Sequence, residues 1–252
     1  MFSLERREAI LKLMQQKKAV TVDELGEHFF ISGATIRRDL EKMAHEGLVK
    51  RTYGGAVLLD GRSSEIPLTL REGENIKLKE LIVQSAAELV YDGATLFLDS
   101  SSTVSRLVPL LSRFKGLTVV TNALKTALRL GEYGNIRTYC TGGRLRENTA
   151  SLIGATAKDY LANFNADIVF FACRGLSAEN GVTDASEDEA EIKRQMLKMA
   201  RTKVLLCDSS KIGSVFLSNI CPLKAVDIIV TDTSLTLNDK TNFDNLGIKV
   251  IM

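Results

Sequence analysis

Two kinds of side-chain grouping in this 252-residue chain are equipped for chemistry. The first is Ser32-Gly-Ala-Thr-Ile-Arg-Arg-Asp-Leu40 near the N-terminus. Ile36, Leu40 and Met43 recur at helical spacing, which turns Thr35, Arg37, Arg38 and Lys42 outward. Ser32 is placed as an N-cap, its hydroxyl taking an orphan backbone N–H at the helix start. Small residues after the cap let that end approach a duplex, and an arginine fork matches guanine O6 and N7 in the major groove. The second kind is a series of short polar clusters, each following an apolar run: Asp99-Ser100-Ser101-Ser102-Thr103, Thr121-Asn122, Thr141-Gly142-Gly143-Arg144, Cys173-Arg174-Gly175 and Asp208-Ser-Ser-Lys211. Hydroxyls and exposed N–H groups beside a helix start suit a phosphate or another anion. Paired glycines admit close backbone approach, and Arg144 or Arg146 can meet a phosphate. The plainer reading of the serines is helix capping.

The first grouping sits among elements that suit it. Arg6–Met14 carries Ile10, Leu11 and Met14 at helical spacing, and Thr21-Val-Asp-Glu24 is a capping box opening a second helix with Leu25 and Phe29 inward. Phe30 and Ile31 alone separate that helix from Ser32, the tight turn of a helix-turn-helix. Gly47 is placed as the C-cap of the third helix. Two extended runs follow, joined at Gly54-Gly55, a β-hairpin wing with Lys50 and Arg51 at its base. The groove-facing set is then Thr35, Arg37 and Arg38, and Lys42, Lys50, Arg51 and the Tyr53–Gly54 tip meet phosphates.

The polar stretch Asp60–Pro67 marks a linker. Residues 1–59 form the first domain, 60–74 the linker, and 75–252 the second domain. A helix over Asn75–Val90 opens the second domain. Apolar runs at Thr95–Leu98, Leu117–Val120, Ile136–Cys140, Asp167–Phe171, Lys203–Cys207, Val226–Val230 and Lys249–Ile251 read as strands. Amphipathic segments starting near Thr103, Ala123, Ser151, Glu187 and Leu235 read as helices. This alternation predicts a doubly wound, mainly parallel α/β sheet, with ligands at the carboxyl ends of its strands, where the polar clusters fall.

Composition narrows the function. The net charge of +2 is too mild to indicate nucleic-acid binding unaided. Residues 1–60 hold ten Lys/Arg against nine Asp/Glu, so positive charge must be placed rather than plentiful. No signal peptide, membrane-spanning run, CxxC pair or metal-ligand spacing is present, which predicts a cytoplasmic protein with reduced thiols and no metal or cofactor. Both histidines, His28 and His45, precede the second domain. A phosphosugar isomerase with an accessory DNA-binding module is the competing reading, but it needs a positioned base. Glu189 and Glu191 are the candidates, and on the Glu187–Ala200 helix they suit capping, pairing with Lys193 or Arg194, or a solvated face. A DNA-binding protein without an effector is a third reading, opposed by the stacked polar strand ends.

Residues from about Arg6 to Ala56 resemble the winged helix of the DeoR family of bacterial transcription regulators. The matching pieces are Arg6-Arg7, Ile10-Leu11, Val22–Leu25, Thr35-Ile-Arg-Arg-Asp-Leu40, Gly47-Leu48 and Gly54-Gly-Ala56. Tyr53 departs from a histidine common in that family. The remainder is similar to the DeoR-type sensor domain, a fold related to ribose-5-phosphate isomerase, through Arg71, Lys79, Leu98–Thr103, Val120–Ala123, Gly142-Gly143, Glu189-Ala190 with Lys193, and Asp208–Lys211. The resemblance implies a repressor of a carbohydrate operon, acting as a homo-oligomer on double-stranded DNA and controlled by a phosphorylated sugar. It implies phosphate at the Ser/Thr loop, sugar hydroxyls at Asp99 and Asn122, an anionic or carbonyl oxygen at Lys211, and Glu189 within the site. Arg174 replaces a small or acidic residue of many such sensors. It meets a more anionic ligand, or pairs with Asp184 or Glu187.

Overall fold

A computed structural model describes residues 3–46, 48–58 and 68–252. The expected Gly47 cap and the polar stretch 60–67 lie outside the described residues. The chain forms two compact units that divide between Glu74 and Asn75.

In the first unit, α1 (Ser3–Lys17), α2 (Val22–Phe29) and α3 (Gly33–His45) are joined by β1 (Ala19–Thr21) and followed by β2 (Val49–Thr52) and β3 (Gly55–Leu58). The capping box is formed in full: the Thr21 hydroxyl accepts from the Glu24 N–H, and the Glu24 carboxylate accepts from the Thr21 N–H. Ile36, Leu40 and Met43 are buried with Ile10, Met14 and Leu25, as their spacing requires. The wing is a three-stranded antiparallel sheet in the order β1-β3-β2, and its third strand, β1, is an addition to the expected hairpin. Thr52 pairs with Gly55, so the turn is Tyr53-Gly54 rather than the glycine pair. The two glycines serve different ends. Gly54 turns the chain at φ +87°, whereas a Cβ on Gly55 would stand 2.2 Å from the Val20 carbonyl of β1. Residues 68–73, expected within the linker, form α4 (Leu68–Gly73), and Leu70 is buried in this unit's core.

Two ion pairs fasten α1 to α3. Arg6 Nε meets Asp39 Oδ2 at 2.5 Å, and Arg7 Nη1 meets Glu46 Oε1 at 2.6 Å. Asp39 is therefore the inward charge of the Arg-Arg-Asp run, with Ser3 Oγ donating to its second oxygen.

The second unit contains α5 (Ile76–Ala87), β4 (Thr95–Leu98), α6 (Val108–Leu111), β5 (Leu117–Thr121), α7 (Leu124–Gly131), β6 (Ile136–Cys140), β7 (Arg144–Arg146) and β8 (Ser151–Ile153). Then follow α8 (Ala155–Leu161), β9 (Ala166–Ala172), β10 (Gly175–Ser177), β11 (Gly181–Asp184), α9 (Glu187–Lys198), β12 (Ala200–Leu206), β13 (Ser218–Cys221), β14 (Ile228–Val230), α10 (Leu237–Asn245) and β15 (Lys249–Ile251). All seven predicted strands enter one parallel sheet, ordered β15-β14-β12-β9-β4-β5-β6. Alternate residues feed two cores: Leu96, Leu98, Ile168 and Phe170 face one layer of helices, and Phe97, Val169 and Phe171 the other. The order reverses at β4, so the loops after β4 and β9 flank the topological switch point, the usual ligand crevice of such sheets.

Three expectations change locally. Where the pattern predicts a helix from Thr103, the structure has a single 3-10 turn, Val104–Leu107, before the four-residue α6. Ser151 begins strand β8, and the helix starts four residues later at Ala155. A small antiparallel sheet, β10-β11-β13, and the hairpin β7–β8 are additions. The four cysteines are free thiols. Cys173 and Cys207 lie side by side with sulfurs 3.7 Å apart. The Cys173 contact and burial push the Cys207 thiol well up, the signature of an inert core thiol. No helix among the described residues is long and apolar enough to cross a membrane.

Asp39→Ala deprives Arg6 of this buried carboxylate and is expected to cost about 3 kcal/mol. Urea unfolding of the full chain, followed in the transition of the N-terminal unit, measures this.

Candidate functional site

The first candidate surface is the outer face of α3 with the wing. Ser32 caps the helix, its oxygen accepting the Thr35 N–H at 3.4 Å and lying 3.0 Å from the Thr35 hydroxyl. Ser32, Arg37, Arg38, Lys42, Lys50, Tyr53 and Gly54 are exposed, and Thr35 is half-buried. Arg51 behaves differently from the expectation of a phosphate contact. It is half-buried, and its Nη1 donates to the Arg37 carbonyl at 3.0 Å, bracing the wing against the recognition helix. Cations at the helix face and wing base, with a bare tyrosine at the wing tip, fit a duplex whose phosphates flank a readable groove.

The second candidate site lies at the carboxyl ends of the parallel strands. Asp99 follows β4, and its carboxylate is fully engaged: Oδ1 accepts the Ser101 N–H at 2.9 Å, and Oδ2 accepts the Ala172 N–H at 3.0 Å. Lys193 of α9 reaches the same oxygen at 3.4 Å, donates to the Ala172 carbonyl at 2.9 Å, and meets Asp184 Oδ2 at 2.5 Å. Burial alone would depress this ammonium, but Asp184, Asp99 and Glu189 outweigh it and hold Lys193 far above the ordinary lysine value. Glu189, also buried, gathers hydroxyls. Its Oε2 accepts from Ser100 at 2.8 Å, and its Oε1 accepts from Thr149 at 3.0 Å and from Ser151. The loop after β4, the β7–β8 hairpin and α9 are thus joined through one carboxylate.

Lys79, 4 % exposed on α5, donates to Ser102 Oγ at 3.1 Å. It brings a buried cation to the hydroxyl loop, which the 3-10 turn could not supply as a helix terminus would. Thr121 is occupied with the fold, its hydroxyl bonding the Leu98 carbonyl at 2.7 Å and the Ala123 N–H at 3.0 Å. Asn122 donates to the Leu152 carbonyl at 3.2 Å, while its Oδ1 is buried with no protein partner. Thr141 directly follows β6 as Asn122 follows β5, and its hydroxyl is likewise buried and unpartnered. Asp99–Thr103 and Glu189 therefore form one buried polar cluster with Lys79, Thr149, Ser151, Asp184 and Lys193, while Asn122 and Thr141 are buried just past the ends of β5 and β6.

Other predicted residues fall outside that cluster. A Cβ on Gly143 would stand 2.6 Å from the Ile153 carbonyl, so this glycine is required by hairpin packing at φ +121°. Gly142 is exposed, and a Cβ there would meet only the Thr156 methyl, at 3.5 Å. Arg144 is exposed and meets Asp188 at 3.1 Å. Arg174 lies over the Phe216 ring at 5.4 Å, while Asp184 holds Lys193 and Glu187 holds Arg194. Lys211 is half-buried on the turn after β12, beside Asp208, whose Oδ1 accepts the Ser210 N–H at 3.2 Å. A cleft of about 270 Å³ between β10, the Ile212-Gly213 loop and Phe243 of α10 holds none of the predicted residues.

A winged helix followed by a parallel sheet with a buried polar cluster at its switch point defines a DNA-binding regulator with a sensing domain. Comparisons with known proteins agree. The DeoR-like helix-turn-helix domain matches residues 6–62 and the DeoR C-terminal sensor domain matches residues 74–233. The chain belongs to the DeoR family of transcription regulators. It is 34 % identical over 250 residues to the HTH-type transcriptional regulator GolR of Listeria innocua, covering 99 % of this chain and 98 % of that one. It is 31 % identical over 228 residues to the glycerol-3-phosphate regulon repressor of Escherichia coli, covering 90 % of each. These relatives are named as regulators, not enzymes. Among solved structures, ribose-5-phosphate isomerase A of Methanocaldococcus jannaschii aligns at 16 % identity over 55 % of each chain, with a TM-score of 0.41.

Lys193→Met removes the cation that bridges Asp99 and Asp184. Because the folded-state value of Lys193 is raised, its contribution is complete below the unfolded lysine value and is lost only as pH rises through the higher folded one. Stability of the natural chain is therefore insensitive to this group from about pH 5 to 9. The variant should lose about 3–5 kcal/mol at about pH 8. Urea unfolding of the natural chain and the variant tests it.

Proposed function

We propose that this protein represses a carbohydrate-metabolism operon as a cytoplasmic homodimer. In this reading α3 enters the major groove of each half-site, and a phosphorylated sugar bound at the strand ends controls occupancy. Arg38, Arg37 and Thr35 read base edges, and Lys42, Lys50 and the Tyr53-Gly54 tip contact the backbone. The ligand's phosphate lies against the Ser100–Thr103 loop, where Lys79 supplies the charge, and its hydroxyls meet Asn122 and Gly142, while Asp99, its oxygens already occupied, holds the loop in place. Lys211, Arg174 and Arg144 stand nearer the rim, where a further anionic group would have to compete with their protein contacts.

The observation that carries this reading is the pair of buried, unpartnered polar atoms, Asn122 Oδ1 and the Thr141 hydroxyl, just past the ends of β5 and β6. An unpaired buried polar group costs about 1–3 kcal/mol, and a polyhydroxyl ligand offers the missing donors. The names of the relatives, a glycerol-3-phosphate regulon repressor among them, favour a phosphorylated small molecule. Control requires that the ligand favour one arrangement of the protein over another. A hundredfold change in operator affinity corresponds to about 2.7 kcal/mol of differential binding.

The full-length protein, bound to a duplex it has selected from a random-sequence library and followed by fluorescence anisotropy, is titrated with sugar phosphates and with the parent sugars. One phosphorylated compound should shift the binding curve while its free sugar does not. Indifference to every compound would remove the effector assignment. Asn122→Ala should raise the ligand concentration needed by about tenfold or more.

The same assay tests the DNA face. Arg38→Ala should lose about 1–3 kcal/mol and relax preference at one base pair. Lys50→Ala should weaken all sequences alike and reduce the salt slope by about one. Unchanged selectivity in Arg38→Ala would move the reading face elsewhere.

A further inference from the structure

Phe30 breaks two local rules at once. It closes α2 in the left-handed conformation, at φ 56° and ψ 45°, where a Cβ costs about 1–2 kcal/mol and glycine is the usual residue. The Phe30 N–H bonds the Glu27 carbonyl at 3.4 Å and the Ile31 N–H bonds the Gly26 carbonyl at 3.0 Å, the paired closure of a helix end. The apolar contact that commonly accompanies such a closure is supplied by Ile31, packed on the N-terminal core. The Phe30 ring itself is 95 % exposed. A strained backbone carrying a bare aromatic ring, with no gain to the fold, marks a position kept for function.

Its place in the chain indicates which function. Phe30 stands two residues before the Ser32 cap, and a chain spans at most about 3.6 Å per residue, so their Cα atoms lie within about 7 Å. Whatever the first turn of α3 touches is therefore within reach of the ring. Exposed Ser32, Ala34, Arg37 and Arg38 share that end of the unit. The arginines serve phosphates or guanine, but a phenyl ring has no hydrogen bond to give. In the major groove the complementary apolar group is the thymine C5-methyl.

We propose that Phe30 determines specificity by packing on a thymine methyl group at the margin of the site read by α3. The inference rests on the reading of α3 as the DNA-binding helix. Arg38 and its neighbours then supply polar readout while Phe30 supplies the apolar part.

The test uses the full-length protein and a duplex that it has selected from a random-sequence library. Each thymine is replaced in turn by deoxyuridine, which removes only the methyl group. The natural chain should lose about fourfold in affinity at one thymine. Phe30→Gly should bind the parent duplex about tenfold more weakly and be indifferent to deoxyuridine at that position. It should keep the salt slope, because no phosphate contact is lost, and should melt no lower than the natural chain, because the backbone strain is relieved. Phe30→Asn, which also tolerates the left-handed region, should reproduce the affinity loss. Natural affinity in both variants would overturn the proposal, as would a uniform loss across sequences with an altered salt slope. A change in self-association with DNA affinity intact would also overturn it, assigning the ring to a second copy of the chain. If the natural chain selected no sequence at all, the DNA-binding reading of α3 would fail first, and distinguishably.

Discussion

A single ammonium group organises the sensing unit. Lys193 is buried between Asp99 at the end of β4 and Asp184 at the end of β11, and it also holds the last carbonyl of β9. Three elements far apart in sequence are thus fixed to α9 by one side chain. Two carboxylates so close in a low-dielectric interior could not both stay ionised without it. Asp99 in turn pins the Ser101 and Ala172 N–H groups. The shape of the β4 loop, and with it the direction of the serine hydroxyls, follows from that pinning. Glu189, one helical turn before Lys193, extends the same logic to the β7–β8 hairpin through Ser100, Thr149 and Ser151.

The N-terminal unit uses buried charge more sparingly but to the same end. Arg6 and Asp39 pair across α1 and α3, and Arg7 and Glu46 pair at the far end of α3. Arg51 is likewise turned inward, onto the Arg37 carbonyl. Each of these ion pairs takes one cation and one acid out of the balance, and Arg37, Arg38, Lys42 and Lys50 stay in solvent. Placement rather than surplus makes the surface attractive to a polyanion.

Much of this was legible in the sequence, and the exceptions have physical causes. The central sheet strands announced themselves because both of their faces are buried, which leaves runs such as Asp167–Phe171 almost without polar residues. The helix caps at Thr21 and Ser32 were equally plain, since their partners lie three residues away. What escaped sits on very short elements. Strands β7, β8, β10 and β11 are three or four residues long and pair as two local hairpins, too short for an alternating pattern to show. Thr149, Ser151 and Asp184 ride on those hairpins, so these three members of the polar cluster had no local signature. Gly143 shows the converse error: its sequence context suggests ligand approach, but the Ile153 carbonyl is what excludes a side chain there. Asp39 was hidden by its company, because a carboxylate beside two outward arginines reads as surface until the Arg6 contact is seen.

The way these charges are satisfied also bears on chemistry. A general base needs a lone pair facing substrate and a proton affinity matched to the working pH. Both oxygens of Glu189 are taken by hydroxyls, and those of Asp99 by two N–H groups and an ammonium. Lys193 is held charged by its carboxylates and has no proton to exchange near neutrality. The second unit contains no histidine to take over the task. What remains available at the strand ends is a set of fixed hydrogen-bonding groups, Asn122 Oδ1 and the Thr141 hydroxyl foremost. In the proposed reading such groups hold a ligand in one orientation and do not move its protons. A regulator needs that property: the free energy of binding must go into favouring one protein state, and a ligand consumed by turnover would not sustain the signal.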